Sequence, residues 1–525
     1  MSDRLIVYDT TLRDGGQSEG ISFSADDKIK IARLLDDFGI DYIEGGWPGS
    51  NPKDLEFFRR AKTLTMKNAR IAAFGSTRKV NTPAEEDPNL SALLESETPV
   101  TTIFGKSWDL HVIEGLRTTL EENLNLIRDS VAFLRGKGKE VIYDAEHFFD
   151  GYQAHPEYAL KTLATAFSAG AGCIVLCDTN GGTLTLKLLD ILKAVQERFP
   201  AMLLGLHAHN DGDVAVANSL SALHHGVYHI QGTINGYGER CGNANLCSIM
   251  ADAAFKMEVG VSPRLALHDM TSLSRHVSEI ANLPHREESP YVGNSAFAHK
   301  GGIHVSAIQR NRRTYEHLEP EKVGNHRRVL VSDQSGQSNI LYKAAELGVD
   351  ITSDRADVKN VVKVLKEMEH LGYQYEGADA SLEVLIKKTT GQYQPYFNLE
   401  SARVIVDKSE NGFLYAEAIL KIRVRDQIEH TAAEGHGPVD SLDAALRKAL
   451  LPFYPGLEAV KLVDYKVRVL NSELATAAKV RVFIESSDGH TSWGTMGVSD
   501  NIIEASWQAL ADGINYHLMR TVNGH

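Results

Sequence analysis

The sequence has few cysteines, no long apolar run and no excess of positive charge. Its four cysteines form no C-x-x-C pair, which excludes a disulfide framework and is typical of a protein in a reducing compartment. No apolar segment is long enough to cross a bilayer, and the N-terminus lacks the apolar stretch of a signal peptide. The net charge of −14 argues against binding to nucleic acid or anionic membranes. We therefore expect a soluble cytoplasmic protein that meets anionic ligands through a local basic patch.

The chain of 525 residues is too long for one ordinary hydrophobic core, so we expect two or more domains. Residues 1–260 alternate short β-branched runs with polar or Gly-rich turns and helical segments. One such segment is Ser24–Phe38, where Ser24 can cap a helix with a periodic apolar face. Eight units of about 30 residues predict an α/β fold, a (β/α)₈ TIM barrel, although periodicity alone leaves an open doubly wound sheet as an alternative. The eight runs are Leu5–Tyr8, Tyr42–Glu44, Arg70–Phe74, Thr101–Phe104, Glu140–Tyr143, Cys173–Cys177, Leu203–Leu206 and His229–Gly232.

One short stretch, Gly205–Asp211, is the centre of the candidate site. In a strand, alternation sends His207 and His209 to the same face. An isolated His-x-His pair is more often two buried histidines bonded to the backbone than two metal ligands, but here the chain offers further ligands. Asp14 follows the first run, and Asn243 follows the eighth as a weaker oxygen donor. One carboxylate, two imidazoles and an amide suit Zn²⁺, Mn²⁺ or Mg²⁺ with positions left open for substrate.

Polar residues follow all eight runs, at the end of the strands where a barrel enzyme builds its active site. A 2-oxo acid could fill two open positions of the metal through its keto and carboxylate oxygens. Arg13 could then stabilise the alkoxide that forms on the keto oxygen, and Thr179 could donate to the carboxylate. Glu146 is either a base that moves a proton or an exposed turn carboxylate, and its position leaves both open. The other members of this predicted rim are Glu44, Ser76, Lys106, Asp144, Asp178, Asn180, Asn235, Glu239 and Arg240.

The rest of the chain follows a different pattern. Helical linker subdomains are predicted for residues 261–388, and a linker rich in Thr, Gly, Gln and Pro follows. Over residues 396–525, β-like runs precede two helices that we expect to begin near Gly437 and Gly497. This is an internal repeat of about 60 residues, with three strands and a helix per unit. The repeat contains no catalytic cluster, so it is either a dimerisation module or a domain that binds a small regulatory ligand.

Several segments carry a resemblance to a known family. Asp9–Gly15, Leu206–Asn210 and Gly232–Asn243 resemble the signatures of the 2-isopropylmalate, homocitrate and citramalate synthases. These enzymes condense acetyl-CoA with a 2-oxo acid on a metal-dependent TIM barrel, and the resemblance extends over essentially the whole chain. Ile43–Lys53 and Tyr143–Gly151 are similar to the (R)-citramalate synthase branch. That branch implies a condensation of acetyl-CoA with pyruvate and water to (R)-citramalate and CoA, the first step of a threonine-independent route to isoleucine.

The resemblance also implies roles for individual residues. The metal ligands of the family match Asp14, His207 and His209. Asn243 matches either a weaker ligand or a residue that contacts the ligands from behind. The catalytic arginine of the family matches Arg13, and its paired catalytic glutamate and histidine match Glu146 and His304. A tyrosine that follows this histidine in the family matches Tyr315. In these enzymes the subdomain that carries the histidine and tyrosine caps the barrel of the partner subunit, which implies a homodimer.

The remaining expectations concern substrate and regulation. Asp144 and Thr179 join Arg13 as substrate-binding residues, although an acidic side chain is unusual beside a bound anion. Together with the internal repeat, the resemblance to synthases controlled by their end product implies that the domain of residues 396–525 binds isoleucine as an allosteric effector. The main alternatives are a 2-isopropylmalate synthase acting on 2-oxoisovalerate and a homocitrate synthase. A lyase of the same fold is disfavoured because the C-terminal repeat accompanies the synthases, and an inactive amino-acid-binding regulator is disfavoured because the predicted rim is intact.

Overall fold

The structure, a computed structural model, forms two compact units. The first consists of Met1–Phe297 and Leu318–Arg327, and the second of Ala298–His317 and Arg328–His525. No helix among the described residues is long and apolar enough to cross a membrane. The described residues are 4–257, 259–331, 336–351, 355–408, 414–470 and 478–522.

A closed barrel of eight parallel strands forms the first unit, which confirms the predicted TIM barrel. Each strand pairs with the next one along the chain, and β1 closes the barrel against β8, with Ile6 opposite His229. The alternative of an open sheet is therefore wrong. The strands are β1 (Ile6–Asp9), β2 (Tyr42–Gly46), β3 (Arg70–Ser76), β4 (Val100–Lys106), β5 (Glu140–Glu146), β6 (Cys173–Asp178), β7 (Leu204–Ala208) and β8 (His229–Gly232).

Helices surround this barrel and bury their apolar faces against it. The first of them shows how the sequence sets the boundaries: the Ser24 hydroxyl accepts from the Asp27 N–H, and the Asp27 carboxylate accepts from the Ser24 N–H. This capping box starts the helix at Ala25, as the sequence predicts. The helices are α1 (Ala25–Phe38), α2 (Pro52–Ala61), α3 (Pro88–Glu95), α4 (Leu120–Gly136), α5 (Phe148–Ala154), α6 (Pro156–Ser168), α7 (Thr185–Arg198), α8 (Ala215–His224), α9 (Leu246–Lys256) and α10 (Met270–Ile280).

The barrel interior is packed with side chains. Tyr8, Tyr42 and His229 lie against one another, with ring centroids between 5.3 and 5.9 Å apart. Layers of this kind make a TIM barrel a packed core and not a pore. A substrate therefore reaches the inner side chains from the carboxyl ends of the strands, where the predicted rim lies.

The second unit begins with a mainly helical part that contains two short strands, and it ends with two repeats of three strands and a helix. Each three-stranded sheet is antiparallel, in the order β11-β12-β13 and β14-β15-β16, which confirms the internal repeat. Its elements are β9 (Ala298–His299), α11 (Gly302–Arg310), β10 (Arg328–Val329), α12 (Gln337–Glu346), α13 (Arg355–His370), α14 (Asp379–Thr389), β11 (Asn398–Lys408), β12 (Leu414–Val424), β13 (Gln427–Gly435), α15 (Pro438–Leu450), β14 (Lys461–Val469), β15 (Val480–Ser487), β16 (Ser492–Ser499) and α16 (Ile502–Thr521).

One predicted helix start in the repeat is wrong. The first helix begins at Pro438, directly after Gly437, but Gly497 lies inside β16 and the second helix begins at Ile502. The glycine is needed for packing, because a Cβ atom at this position would collide with the backbone carbonyl of Ala505. A glycine in a strand often marks such a close approach.

Candidate active site

Three buried side chains meet at the carboxyl end of the barrel. Asp14 follows β1, His207 lies in β7, and His209 follows β7 directly. The Asp14 Oδ2 atom lies 3.3 Å from Nε2 of His207 and 3.7 Å from Nε2 of His209. The side chains are between 2% and 7% exposed, and one potential ligand atom from each lies within 4.8 Å of the others. The structure therefore brings together the three residues that the sequence selects as metal ligands.

A glutamine sets the orientation of His207. The Oε1 atom of Gln231 lies 2.9 Å from Nδ1 of His207, while Nε2 of Gln231 donates to Asp144 at 3.1 Å. An amide oxygen can only accept, so Nδ1 of His207 carries the proton and Nε2 faces Asp14. Hydrogen bonds of this type behind a ligand fix its ring and tautomer in metal sites.

The charges of the cluster suit a cation. Burial raises the pKa of Asp14, but the charge of Arg13 and the hydrogen bond and charge of His207 outweigh this effect and hold the pKa far below its usual range. Burial and the neighbouring His207 lower the pKa of His209 to about 3, so its ring is neutral near pH 7. For His207, burial lowers the pKa, but the hydrogen bond and charge of Asp14 bring it above its ordinary value. Asp14 and His209 are therefore in the protonation states that bind a metal, and His207 would reach that state when a cation takes the place of its Nε2 proton beside Asp14.

Several buried polar atoms at the cluster are left without a partner. Among the described residues, Nδ1 of His209 and both amide atoms of Asn243 are buried and make no hydrogen bond. Asn243 pairs with His209 through an isolated β-bridge, so its amide belongs to the same region. Buried polar atoms without partners are costly, and a cation with its waters would satisfy the amide oxygen. The donor set of Asp14, His207, His209 and Asn243 therefore fits a divalent metal.

Arg13 is held rigidly beside the cluster. Its Nε atom donates to Glu44 at 2.6 Å, one terminal nitrogen lies 3.5 Å from Asp14, and its guanidinium carbon lies 3.9 Å from the ring centroid of Phe74. Glu44 is fully buried and also accepts from the hydroxyls of Tyr8 at 2.7 Å and Thr10 at 2.6 Å. From the sequence, Glu44 belongs to the predicted rim but has no assigned role. The structure shows that it fixes the arginine in one orientation.

The cluster opens into a cavity of about 210 Å³. This volume is below the range of drug-sized ligand sites, so the cavity suits a small acid. Three aromatic side chains, those of Trp47, Phe74 and Phe104, narrow the cavity and are not among the predicted site residues. Asn243 does not line it. The other lining residues are Arg13, Asp14, Gln17, Asp144, Glu146, Cys177, Thr179, His207, His209 and Glu239.

Glu146 and Thr179 present polar atoms to this cavity. Glu146 ends β5 and forms an ion pair with Lys106, its register partner at the end of β4. The Thr179 hydroxyl oxygen accepts from the backbone N–H of His147 at 2.9 Å. Its own O–H is therefore free to donate to a bound acid.

Asp144 also lines the cavity, although it is acidic. It is 3% exposed, and burial followed by the charge of Glu44 raises its pKa to about 7. A carboxyl group with this pKa is partly neutral near pH 7. Partial protonation lowers the negative charge of Asp144 and therefore its repulsion of a bound anion. The sequence alone does not explain how an acidic side chain can lie beside an anion.

His304 and Tyr315 lie in the second unit. His304 is in α11, and Tyr315 follows the short 3₁₀ helix Arg312–Thr314. Their rings stack, with centroids 4.1 Å apart, and both side chains are exposed. These two residues, to which the family resemblance assigns separate catalytic roles, thus contact each other on the surface of their own unit.

The barrel and its Asp-His-His cluster define the class of the protein. A family model described as HMGL-like matches residues 4–277, more than half of the chain. A model described as homocitrate synthase post-HMGL domain-like matches residues 291–372, and one described as LeuA allosteric (dimerisation) domain matches residues 376–518. The first unit is therefore an HMGL-like barrel.

Full-length relatives narrow this class. An (R)-citramalate synthase of Aquifex aeolicus is 53% identical over 521 residues, which cover 99% of each chain. An (R)-citramalate synthase of Geobacter sulfurreducens is 55% identical over 516 residues, or 98% of each chain. A 2-isopropylmalate synthase of Methanocaldococcus jannaschii is 28% identical over 98% of this chain and 94% of that protein. The chain belongs to the (R)-citramalate synthase family.

Proposed function

We propose that this protein is an acyltransferase that condenses acetyl-CoA with pyruvate and water to give (R)-citramalate and CoA. The observation that carries the proposal is the buried cluster of Asp14, His207 and His209 in a cavity small enough for pyruvate. Full-length relatives named (R)-citramalate synthase support the same substrate pair. The reaction supplies isoleucine biosynthesis, and we assign it to the cytoplasm.

The cluster is proposed to hold Mg²⁺, Mn²⁺ or Zn²⁺, with Asn243 as a weaker ligand or one behind the others. When bound, such a metal supplies the Lewis acidity that polarises the ketone of a 2-oxo acid. Arg13 points its guanidinium at the same region and stabilises the negative charge that develops on the ketone oxygen. Thr179 donates its free O–H to the carboxylate of pyruvate, and Asp144 closes the cavity beside it.

The second half of the reaction needs a carbon nucleophile. Glu146 removes a proton from the methyl group of acetyl-CoA, and the resulting carbon forms a bond to the ketone carbon of pyruvate. His304 and Tyr315 are proposed to complete the proton transfers from the subdomain of the partner subunit. Water then hydrolyses the thioester and releases CoA, so that all atoms of acetyl-CoA, pyruvate and water appear in (R)-citramalate and CoA.

A homodimer is supported by the two sheets of the C-terminal repeat. Leu414, Val463 and Val469 are between 53% and 56% exposed on strands of these sheets. Apolar side chains in this number on a strand surface are typical of an interface. The matching family model is named for dimerisation and allostery, and we propose isoleucine as the effector that acts through this domain.

The proposed substrate is tested by CoA release with a panel of 2-oxo acids. We expect kcat/KM for pyruvate to exceed that for 2-oxoisovalerate by about tenfold or more, because additional methyl groups must fit among Trp47, Phe74 and Phe104. We expect 2-oxoglutarate to react more slowly still, because no lysine and no arginine other than Arg13 lines the described cavity to pair its second carboxylate. A preference for 2-oxoisovalerate together with inhibition by leucine would assign the protein to leucine biosynthesis instead.

The role of Arg13 leads to a second prediction. Lysine cannot contact Glu44 and reach the ketone oxygen at the same time, because it lacks the planar fork of arginine. Arg13→Lys is therefore expected to lower kcat by about 10²-fold, with a smaller change in the KM for pyruvate. Arg4→Lys, at the opposite end of β1 where Arg4 pairs with Asp41, is the matched control. A change in KM alone would show that Arg13 holds substrate and does not stabilise the transition state.

A further inference from the structure

A second cavity adjoins the candidate active site on the other side of Trp47. The cavity of about 210 Å³ at the Asp-His-His cluster is the reaction cavity, and the adjoining one, of about 230 Å³, is the neighbouring cavity. Three residues line both of them: Arg13, Gln17 and Trp47. Arg13 is held by Glu44 beside the cluster, and Gln17 is exposed. The indole of Trp47 is therefore the main wall between the two cavities.

The neighbouring cavity has an apolar part. Leu12, Ile21 and Phe23 line it and are between 1% and 8% exposed. Lys28 also lines it, but its ammonium group is already paired with Asp54. An aliphatic group that covers such an apolar surface gains free energy, because both leave water. Without the indole, the reaction cavity would therefore extend into surroundings that suit a longer aliphatic chain.

Two phenylalanines pack against the indole. The ring centroid of Trp47 lies 5.9 Å from that of Phe74, at an angle of 85°, and 5.5 Å from that of Phe104, at 83°. Phe74 and Phe104 stack on each other with centroids 5.4 Å apart. Edge-to-face and stacked pairs at these distances are favourable arrangements of aromatic rings. The three rings therefore support one another as a single aromatic wall.

Asn89 fixes the polar end of the indole. Nε1 of Trp47 donates to Oδ1 of Asn89 at 2.7 Å, and Nδ2 of Asn89 donates to the backbone carbonyl of Ser76 at 2.7 Å. Asn89 lies in α3 and is 9% exposed, and Ser76 ends β3. Gly75 leaves room for this amide, because a Cβ atom there would lie 2.9 Å from Oδ1 of Asn89. One buried amide thus ties the indole to the strand beside its own.

The backbone of Trp47 is fixed as well. Its N–H donates to Oδ2 of Asp54 at 2.8 Å, and the buried ammonium group of Lys28 pairs with the same carboxylate. The preceding residue, Gly46, has a φ of +142°, and a Cβ atom there would collide with the carboxylate of Asp54. Only glycine tolerates both conditions. Buried partners therefore hold the N–H groups of both the backbone and the side chain of Trp47, which keeps the indole in one orientation.

We propose that Trp47 limits the length of the 2-oxo acid by closing the reaction cavity towards the neighbouring cavity, and that Asn89 is the positioning residue that keeps it closed. The inference rests on the proposed function and deepens it, because it restricts the substrate to 2-oxo acids with a very short side chain. The methyl group of pyruvate faces the aromatic wall, so each further carbon meets the indole. Moving the indole aside would break its hydrogen bond to Asn89, which leaves two buried polar groups without partners.

CoA release with pyruvate, 2-oxobutyrate and 2-oxopentanoate tests the proposal. For the wild type we expect kcat/KM to fall about tenfold or more with each added carbon. Trp47→Leu is expected to raise kcat/KM for 2-oxopentanoate relative to that for pyruvate by about tenfold or more, because the chain can then enter the neighbouring cavity. Trp47→Phe keeps a ring and most of the packing, and should shift this ratio in the same direction by a smaller factor. Phe167→Leu, at an exposed aromatic residue of α6, is the matched control.

Asn89→Leu tests the positioning role, because it leaves the indole in place and removes its hydrogen-bond acceptor. We expect the ratio of kcat/KM for 2-oxopentanoate to that for pyruvate to rise about fivefold, as for the loss of one hydrogen bond. Asn89→Asp keeps an oxygen that can accept from the indole and should stay closer to the wild-type ratio. A merely structural role would lower kcat/KM for all three acids by the same factor. Asn125→Leu, which removes a hydrogen bond to Arg128 on α4, is the matched control.

Phe23 provides a test of where the longer chain lies. Phe23 lines the neighbouring cavity but not the reaction cavity, and Phe23→Leu enlarges the former. With Trp47 in place, this substitution should leave the ratio unchanged, because the indole separates the two cavities. Combined with Trp47→Leu, it should raise kcat/KM for 2-oxopentanoate further. Coupling of this kind is expected for two residues that share one cavity.

Several results would overturn the proposal. An unchanged ratio in Trp47→Leu and Trp47→Phe, in protein that still uses pyruvate, would show that another group limits the chain. Loss of turnover with every acid in both folded variants would make Trp47 a catalytic residue instead. A wild-type protein that uses 2-oxopentanoate as well as pyruvate would contradict the restriction itself, and equal losses for all acids in Asn89→Leu would contradict the role of Asn89. Absence of turnover with every 2-oxo acid in the wild type would instead contradict the proposed function.

Discussion

Replacing His209 with alanine is expected to lower kcat by about 10³-fold or more and to reduce the affinity for Mn²⁺ by more than about 100-fold. His209 supplies one of three potential ligand atoms that lie within 4.8 Å of each other. Loss of a residue that hydrogen-bonds to a metal ligand already lowers metal affinity by about 10- to 100-fold, so loss of the ligand itself should lower it further. Several kcal/mol of charge stabilisation would disappear with the metal, which corresponds to the expected loss in kcat.

The structure indicates that this variant will fold. Nδ1 of His209 makes no hydrogen bond among the described residues, and Asp14, which lies 3.7 Å from Nε2 of His209, keeps Arg13 and His207 as partners when alanine replaces the histidine. Metal analysis after dialysis, Mn²⁺ titration and CoA release should therefore change together while the melting temperature stays close to that of the wild type. His224→Ala, at the exposed end of α8, is the matched control. Full activity in metal-free wild-type protein would contradict the assignment of the cluster.

The barrel and the centre of the site could be predicted because both depend on local patterns. Eight repeats of a β-run and a helix indicate a barrel, and the ends of parallel strands in a barrel share one rim. Alternation within one strand then places His207 and His209 together, and the same rim brings Asp14 to them. No knowledge of side-chain packing was needed for these steps.

The residues behind the site could not be predicted in the same way. Gln231 orients His207 because the two residues lie opposite each other on the paired strands β7 and β8. The sequence pattern alone does not predict which residues of two strands lie opposite each other. Glu44 lies 31 residues from Arg13, and its role depends on side chains from two neighbouring strands converging inside the barrel. Alternation in β8 places Gln231 on the inner face with His229, and this was the one available signal.

Glycines limited the prediction of the repeat. The similar segments before the two C-terminal helices led to equivalent predicted helix starts, but Gly437 precedes its helix and Gly497 lies within a strand. The difference arises because the carbonyl of Ala505 approaches Gly497 too closely for a Cβ atom. The sequence alone does not distinguish a glycine that tertiary packing requires from a glycine that marks a helix boundary.

Glu146→Gln is expected to lower kcat by about 10²- to 10⁴-fold, the range for loss of a general base. Glutamine has almost the same shape, so the KM for pyruvate should change little. Exchange of deuterium from methyl-labelled acetyl-CoA into solvent should fall with kcat, because both need removal of the same proton. Glu157→Gln, in the exposed first turn of α6, is the matched control. Normal turnover in Glu146→Gln would show that the base is another residue.

The ion pair with Lys106 provides the test that separates catalysis by Glu146 from a structural role. If Glu146 mainly fixed the end of β4 through this pair, Lys106→Met would reproduce the full loss in kcat and the exchange rate. If Glu146 is the base, Lys106→Met only loosens its position, so exchange slows by a smaller factor than in Glu146→Gln. Because the two residues are register partners on adjacent strands, either substitution removes the same ion pair, but only one removes the carboxylate. The ratio of the two exchange rates therefore measures the contribution of the carboxylate itself.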